Sequence, residues 1–365
     1  MEIVTTILSI SLISVALAIL IILAERLLNN YGDCQIDING GARQMTAKGG
    51  SSLLSTLAGQ GIFVPSACGG KATCGLCKVQ VLDGAGPLLP TEEPYLSADE
   101  RQKGFRLSCQ VKVKQNIKIL IPEELFNIRE FKTRIAKIET LTHDIKGLRL
   151  DLQEPDRIRF KAGQYVQLYT KPYGKVRESV FRAYSMASVP SDDRSVELIV
   201  RQVPEGICTT YVHQELKEGD ELRISGPYGD FYLRGDCDEL VFIAGGSGLA
   251  PIRSLILDIL EKQLVYKMTF FFGAVTLRDL YYLDFFRDLE KQHENFRFVP
   301  ALSKPLPDDN WQGETGLITE VVNRFIPDGK NKEAYLCGSP GMINACLNVL
   351  QTKGIGPDKI FYDKF

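Results

Sequence analysis

Three cysteines fall within ten residues, at Cys68, Cys74 and Cys77, and a fourth, Cys109, follows after 31 intervening residues. No other feature restricts so tightly what the chain can build. Three thiolates on one loop, with a fourth returned by a neighbouring strand, converge in the way the small rhomb of a [2Fe–2S] cluster needs. Gly69, Gly70 and Gly75 let that loop fold tightly and aim N–H groups at the sulfurs. Such donors offset the charge of four thiolates and help set the cluster's potential. A structural zinc site is the alternative, but zinc loops usually carry two C-x2-C pairs or added histidines. The three histidines, His143, His213 and His293, lie far apart. Nine cysteines, an odd number, in a chain of 365 residues favour metal ligands over a disulfide framework. Cys34, Cys208, Cys237 and Cys346 have no site-like spacing and read as core filling.

At this length two or three domains are expected, each with its own core. A net charge of −2 leaves no large basic surface, so nucleic acid is excluded as a partner. The first 30 residues read as an anchor. Ile3 to Ala24 is 22 residues without a charge, about 33 Å of helix against a hydrocarbon core of about 30 Å. A cleaved signal would want Lys or Arg ahead of the apolar run, where only Glu2 stands. Glu25 and Arg26 cancel, so flanking charge does not orient the segment.

Short alternating strands follow at Cys34–Asn39, Ala42–Thr46, Lys78–Leu82, Arg106–Val111 and Ile117–Ile121, with a helix over Ser52–Gly59. They define a compact β-rich domain over 31–125. Residues 126–235 read as a small antiparallel barrel, interrupted by one short helix near Cys208–Leu216. From 236 to 365 the pattern becomes strand then helix, four times over. Strand Leu240–Ala244 leads to helix Leu249–Lys262, and the last pair is Ala334–Leu336 with Met342–Thr352. This alternation predicts a doubly wound parallel sheet.

The cysteine loop resembles plant-type ferredoxins, with one extra residue between its first two cysteines. That spacing, behind Ser66-Ala67-Cys68-Gly69-Gly70, is similar to the family of F subunits of sodium-translocating NADH:quinone reductases, and the resemblance runs from the anchor to the last residue. It implies a β-grasp ferredoxin domain, an FAD-binding barrel and an NAD-binding domain of the ferredoxin reductase superfamily. Arg182-Ala183-Tyr184-Ser185 looks like the R-x-Y-S flavin motif of that superfamily. A forked, permanent guanidinium at Arg182 suits a pyrophosphate. Alternation puts Arg182 and Tyr184 on one strand face and Ser185 on the other. The resemblance implies that Tyr184 covers the flavin and that Ser185 offers its hydroxyl near N5. Gly206 to Thr210 opens the barrel's helix, and its N-terminal amides, with the Thr209 hydroxyl, suggest a phosphate seat. Phe365 stands where the family's terminal aromatic stacks on the flavin.

Gly245, Gly246 and Gly248 join the first parallel strand to its helix, where glycine permits close approach to a pyrophosphate. Cys337-Gly338-Ser339-Pro340 resembles the family's C-G-x-P motif, which implies that Cys337 lies beside the nicotinamide, with Gly338 and Pro340 shaping its seat. The expected chemistry is hydride transfer from NADH to FAD, catalysed with the help of Ser185, Cys337 and Phe365. Single electrons then leave through the cluster to a flavin, iron–sulfur or quinone-linked acceptor. The implied setting is the inner membrane of a prokaryote, single-pass, facing the cytoplasm, beside other membrane subunits of a redox complex. The stretch from Gly163 to Arg182 is shorter than in that family. This keeps open a stand-alone NADH-dependent reductase feeding an oxygenase.

Overall fold

The computed structural model describes residues 10–20 and 31–364. Residues 10–20 are helical and exposed. The expectation of a membrane-spanning helix over 3–24 is therefore corrected: among the described residues no helix is long and apolar enough to cross a membrane. The rest of that segment lies outside the described residues, and the single-pass inner-membrane placement goes with the span. Two compact units follow from the chain contacts, one up to Ile128 and one over Arg129–Phe365.

In the first unit, β1 (Asp33–Ile38) and β2 (Arg43–Lys48) make a hairpin. Its turn needs positive φ at Asn39, Gly40 and Gly41, and Asn-Gly supplies it at little steric cost. Helix α1 (Leu53–Gly59) is capped by the Ser52 hydroxyl. Next come β3 (Lys78–Asp83), α2 (Ala98–Gln102), β4 (Phe105–Leu107) and β5 (Ile117–Leu120). The sheet order is β2-β1-β5-β3-β4, with β1 and β5 parallel. Alternate residues Ile36, Ile38, Val79, Ile117 and Ile119 turn inward against Leu53 and Leu57 of α1, as a half-buried sheet requires. One buried ion pair pins the stretch ahead of β4. Glu92 accepts from Arg106 Nε (2.9 Å) and Nη2 (2.6 Å) and from the Leu107 N–H (2.9 Å), while Arg106 also reaches the Gly86 and Pro87 carbonyls.

The second unit opens with a barrel: β6 (Arg129–Thr140), β7 (Ile145–Glu154), β8 (Tyr165–Tyr169), β9 (Phe181–Ser185), β10 (Ser195–Arg201) and β11 (Glu221–Tyr228). Helix α3 (Ile207–Thr210) runs into a π turn (Tyr211–Glu215) between β10 and β11. The order is β10-β7-β6-β11-β8-β9, and a bridge between Met186 and Leu198 brings the two ends together. Then β12 (Glu239–Gly245), α4 (Leu249–Glu261), β13 (Lys267–Ala274), α5 (Leu283–Gln292), β14 (Phe296–Leu302), β15 (Glu314–Thr315), α6 (Ile318–Phe325), β16 (Lys332–Gly338), α7 (Pro340–Thr352) and β17 (Ile360–Lys364) alternate. All strands of this sheet pair in parallel, in the order β15-β14-β13-β12-β16-β17. The chain leaves β12 on one side and returns to its other side as β16. That reversal opens a crevice at the carboxyl ends of β12 and β16, where such sheets bind ligands.

Barrel and sheet share an interior. Ile145, Ala187, Ile199 and Phe231 of the barrel pack in one core with Leu240, Phe242, Leu249 and Ile252. Arg253 of α4 donates to the Ala187 carbonyl (2.6 Å) and to Glu197 (2.7 Å), and Ser254 Oγ donates to the Ser188 carbonyl (2.6 Å).

Candidate functional site: a four-thiol loop, a barrel edge and a sheet crevice

Residues 66–77 carry neither helix nor strand. Gly69, Gly70, Ala72 and Gly75 have φ of 65°, 87°, 55° and 68°, so the backbone reverses repeatedly and presents its inner side to the thiols. At Gly75 a Cβ would also meet the Tyr95 ring at 2.7 Å, so only glycine fits there. Ser66 Oγ accepts from the Gly70 N–H at 3.1 Å. Cys109 arrives on a turn, not on the strand expected over Arg106–Val111. β4 stops at Leu107, whose carbonyl accepts from Gln110 N (2.8 Å) and Val111 N (3.2 Å). A straight strand would alternate its side chains across the sheet; the turn swings Cys109 back toward the loop.

The thiols come as two pairs. Cys74 Sγ lies 3.4 Å from Cys68 Sγ, and the free thiols of Cys77 and Cys109 are hydrogen-bonded to each other. Burial opposes ionisation of Cys68, but the Thr73 N–H, the Cys74 thiol and further donors overcome it and bring Cys68 down to about 6. Burial pushes its neighbour Cys74 up. The bond from Cys77 brings Cys109 down to about 7, and that bond, followed by burial, holds Cys77 protonated well above the usual thiol range. Among the described residues no three His, Cys, Asp or Glu side chains gather to hold a single ion. A [2Fe–2S] rhomb takes one thiol pair per iron, and the two thiol pairs fit that pattern.

At the barrel's edge, Arg182 and Tyr184 stand opposite Leu168 and Val166 on β8, while Ser185 stands opposite Tyr165. Arg182 and Tyr184 thus share a face that Ser185 does not. No residue of β9 is fully buried. Arg182 Nη1 donates to its neighbour's carbonyl, Phe181 O, at 2.6 Å. Among the described residues its guanidinium forms no ion pair, so its charge and remaining donors fit a pyrophosphate. Burial raises the Tyr184 phenol far above its ordinary value, and the ring packs against the barrel core. Thr209 differs from expectation. It is buried, and its hydroxyl bonds back to Val203 N (3.2 Å), Val203 O (3.3 Å) and Gly206 O (3.2 Å). It therefore shapes its own turn, and a Cβ at Gly206 would strike that hydroxyl at 2.5 Å.

In the crevice, Gly245 ends β12 and Gly246, at φ 56°, turns the chain into α4. A Cβ at Gly248 would lie 2.2 Å from the Cys337 carbonyl oxygen and 2.8 Å from Gly338 N. Glycine at this position lets the two motifs touch. Gly338 has φ 154°, and the Met342 side chain covers both Gly245 and Gly338. The Ser339 hydroxyl caps α7, with Pro340 in its first turn. Cys337 is fully buried, and burial, then Asp363, keep its thiol neutral. Two neighbours escaped the sequence reading. Asp363 stands in register with Cys337 across β16 and β17; burial, reinforced by Asp230, raises its carboxyl to about 6. An acid alternating with aromatics beside the C-G-x-P strand was the available signal. Tyr281 donates its hydroxyl to the Gly246 carbonyl at 2.8 Å, and no local motif marks it. Phe365 lies outside the described residues; Lys364, just before it, pairs with Gly338.

Three family models match the chain in sequence. They are a 2Fe-2S iron-sulfur cluster binding domain over 36–114, an oxidoreductase FAD-binding domain over 132–232 and an oxidoreductase NAD-binding domain over 242–348. The chain is 37% identical over 408 residues to the F subunit of the Na(+)-translocating NADH-quinone reductase of Histophilus somni (strain 129Pt), covering 100% of both. The match to its counterpart in Neisseria gonorrhoeae (strain ATCC 700825 / FA 1090) is 37% over 407 residues, again covering 100% of both. Among solved structures, the cytochrome P450 reductase GcoB of Amycolatopsis is similar at TM-score 0.73 and 29% identity, over 91% of this chain and 98% of that one. The ferredoxin reductase in carbazole 1,9a-dioxygenase is similar at TM-score 0.70 and 26% identity, over 92% and 98%.

Proposed function

The chain belongs to the family of F subunits of Na(+)-translocating NADH-quinone reductases, and on that premise we propose that it is the NADH-oxidising member of a multisubunit redox complex whose other subunits take its electrons. Its own chemistry is that of an oxidoreductase passing electrons from NADH through FAD to a [2Fe–2S] cluster. FAD, when bound, supplies the step between a two-electron hydride donor and a one-electron acceptor. The residues of the chain do the positioning. Gly245, Gly246 and Gly248 let a pyrophosphate come close to the backbone at the head of α4, a thirteen-residue helix. Gly338 and Pro340 form the opposite lip. Cys337 contributes a neutral, desolvated wall to the nicotinamide seat.

On the barrel, Arg182 neutralises the flavin pyrophosphate, Tyr184 presents its neutral ring and Ser185 its hydroxyl to the flavin, and Gly206 with Thr209 shapes the turn beside them. Phe365 is assigned to cover the flavin. Cys68 with Cys74, and Cys77 with Cys109, would hold one iron each.

The observation that carries this reading is the gathering of four cysteines as two thiol pairs, in a chain whose remaining domains are of FAD- and NAD-binding families. Anaerobic titration with NADH tests it. The flavin bands should bleach, and the EPR signal of a reduced [2Fe–2S] cluster should then grow. Zinc in place of iron in protein prepared without oxygen sinks the reading. Likeness to the P450 reductase over 91% of the chain favours a second reading, a lone reductase feeding an oxygenase. Copurification from native cells separates the two: other quinone reductase subunits accompany the chain in the first case and are missing in the second.

A further inference from the structure

Among the described residues, one buried side-chain oxygen next to the thiols has no hydrogen-bond partner. Ser108 is fully buried, and its Oγ is neither solvated nor bonded to any group of the chain. Its backbone is held on both sides. The Ser108 N–H donates to the Cys77 carbonyl at 2.8 Å, and the Ser108 carbonyl accepts from Leu54 N of α1 at 3.0 Å. Because the whole residue is buried, its hydroxyl has no water to bond. An unpaired buried hydroxyl is costly, and folded proteins seldom retain one without a use.

The neighbourhood suggests what completes it. Ser108 precedes Cys109 in the chain and bonds to the Cys77 carbonyl through its backbone N–H, so it is tied to both residues of the second pair. Its hydroxyl lies beside the Cys77 sulfur without a well-formed bond to it. Across the pair, the Gln110 side-chain amide approaches Cys109 Sγ at 3.8 Å, so Cys109 has its own polar neighbour and Cys77 has Ser108.

We propose that Ser108 is a positioning residue of the electron-transfer site, whose hydroxyl donates to the sulfur of Cys77 once that sulfur is an iron-bound thiolate. The inference rests on the four cysteines holding a [2Fe–2S] cluster. Reduction adds one negative charge to the cluster, and a donor to a ligand sulfur stabilises the more negative state more strongly. Ser108 therefore raises the cluster's reduction potential and eases electron entry.

The test compares full-length, iron-loaded wild type with Ser108→Ala and Ser108→Thr. Ser108→Ala should keep two irons per chain and its EPR signal, while its potential falls by about 59 mV, the equivalent of a tenfold change in a one-electron equilibrium. Ser108→Thr retains a hydroxyl and should restore most of that fall. Resonance Raman supplies a readout that packing alone would not move: one iron–cysteine stretch of the wild type should shift in deuterated buffer, and that sensitivity should vanish in Ser108→Ala. An unchanged potential with iron intact overturns the proposal and leaves Ser108 as core filling. Absence of iron from wild type as well overturns the cluster reading instead.

Discussion

Asp363 shows how much one residue can depend on its partner strand. In the sequence it is an acid near the chain's end; in the fold it sits beside Cys337. The unfolded carboxyl ionises near 3.8, and burial with Asp230 lifts the folded value to about 6. The folded state thus holds its proton longer, and stability falls as pH rises between those values. Above pH 7 the buried charge costs about 3 kcal/mol at most. Asp363→Asn removes that cost. The variant's melting temperature should gain on wild type between pH 4 and pH 7 and hold that gain above, and thermal melts at pH 4, 5.5 and 8 check it. The four cysteines proposed as cluster ligands stood out because metal ligation leaves a spacing in the sequence. Tyr281 did not, because a tyrosine reaching from a distant loop leaves no pattern, and the alternation of Asp363 with aromatics did not reveal its pairing with Cys337, which the parallel strands create. The Thr209 hydroxyl bonds within its own turn, a use that its place at a helix start does not reveal.

Among the elements, the cysteine loop and the glycine turn after β12 depend on close approach. Gly248→Ala would force a methyl group into the Cys337 carbonyl. The two lips of the crevice must then part, and a displacement near 1 Å costs about a hundredfold in rate. Stopped-flow mixing should show flavin reduction by NADH slowed by that order, with FAD content unchanged. The Glu92–Arg106 pair secures the chain on its way to Cys109. Burial alone would raise the Glu92 carboxyl, yet the Arg106 guanidinium and the Leu89 and Leu107 N–H groups hold it below the usual range. Arg106→Leu leaves that carboxylate buried and unpaired, at a cost of about 3–5 kcal/mol. Denaturant unfolding, followed through cluster absorbance, should reveal a loss of that size. The strand–helix alternation from β12 onward was readable because each element carries its own period. The end of β4 at Leu107 was not, because Ser108, Cys109 and Gln110 suit a strand as well as a turn.

For the molecule as a whole, the order of three cofactor-binding regions was readable because each carries a local motif. The described part of the amino-terminal segment, residues 10–20, gave no helix long and apolar enough to cross a membrane. Cys109→Ser tests the modular reading. It should abolish the reduced-cluster EPR signal while NADH still bleaches the flavin at close to the wild-type rate. Loss of both would show that the thiol loop is needed for the flavin site as well.

Two of the sequence families, by contrast, do not end where the packing ends. Ile145 and Phe231 fall within the FAD-binding match and Leu249 within the NAD-binding match, yet they line a single interior. Calorimetry of residues 129–365 should accordingly register one transition. Recombining this chain with a relative would succeed with a seam ahead of Arg129. A junction between Leu233 and Glu239 would hand each parent half of a wall, and neither half could keep water out by itself.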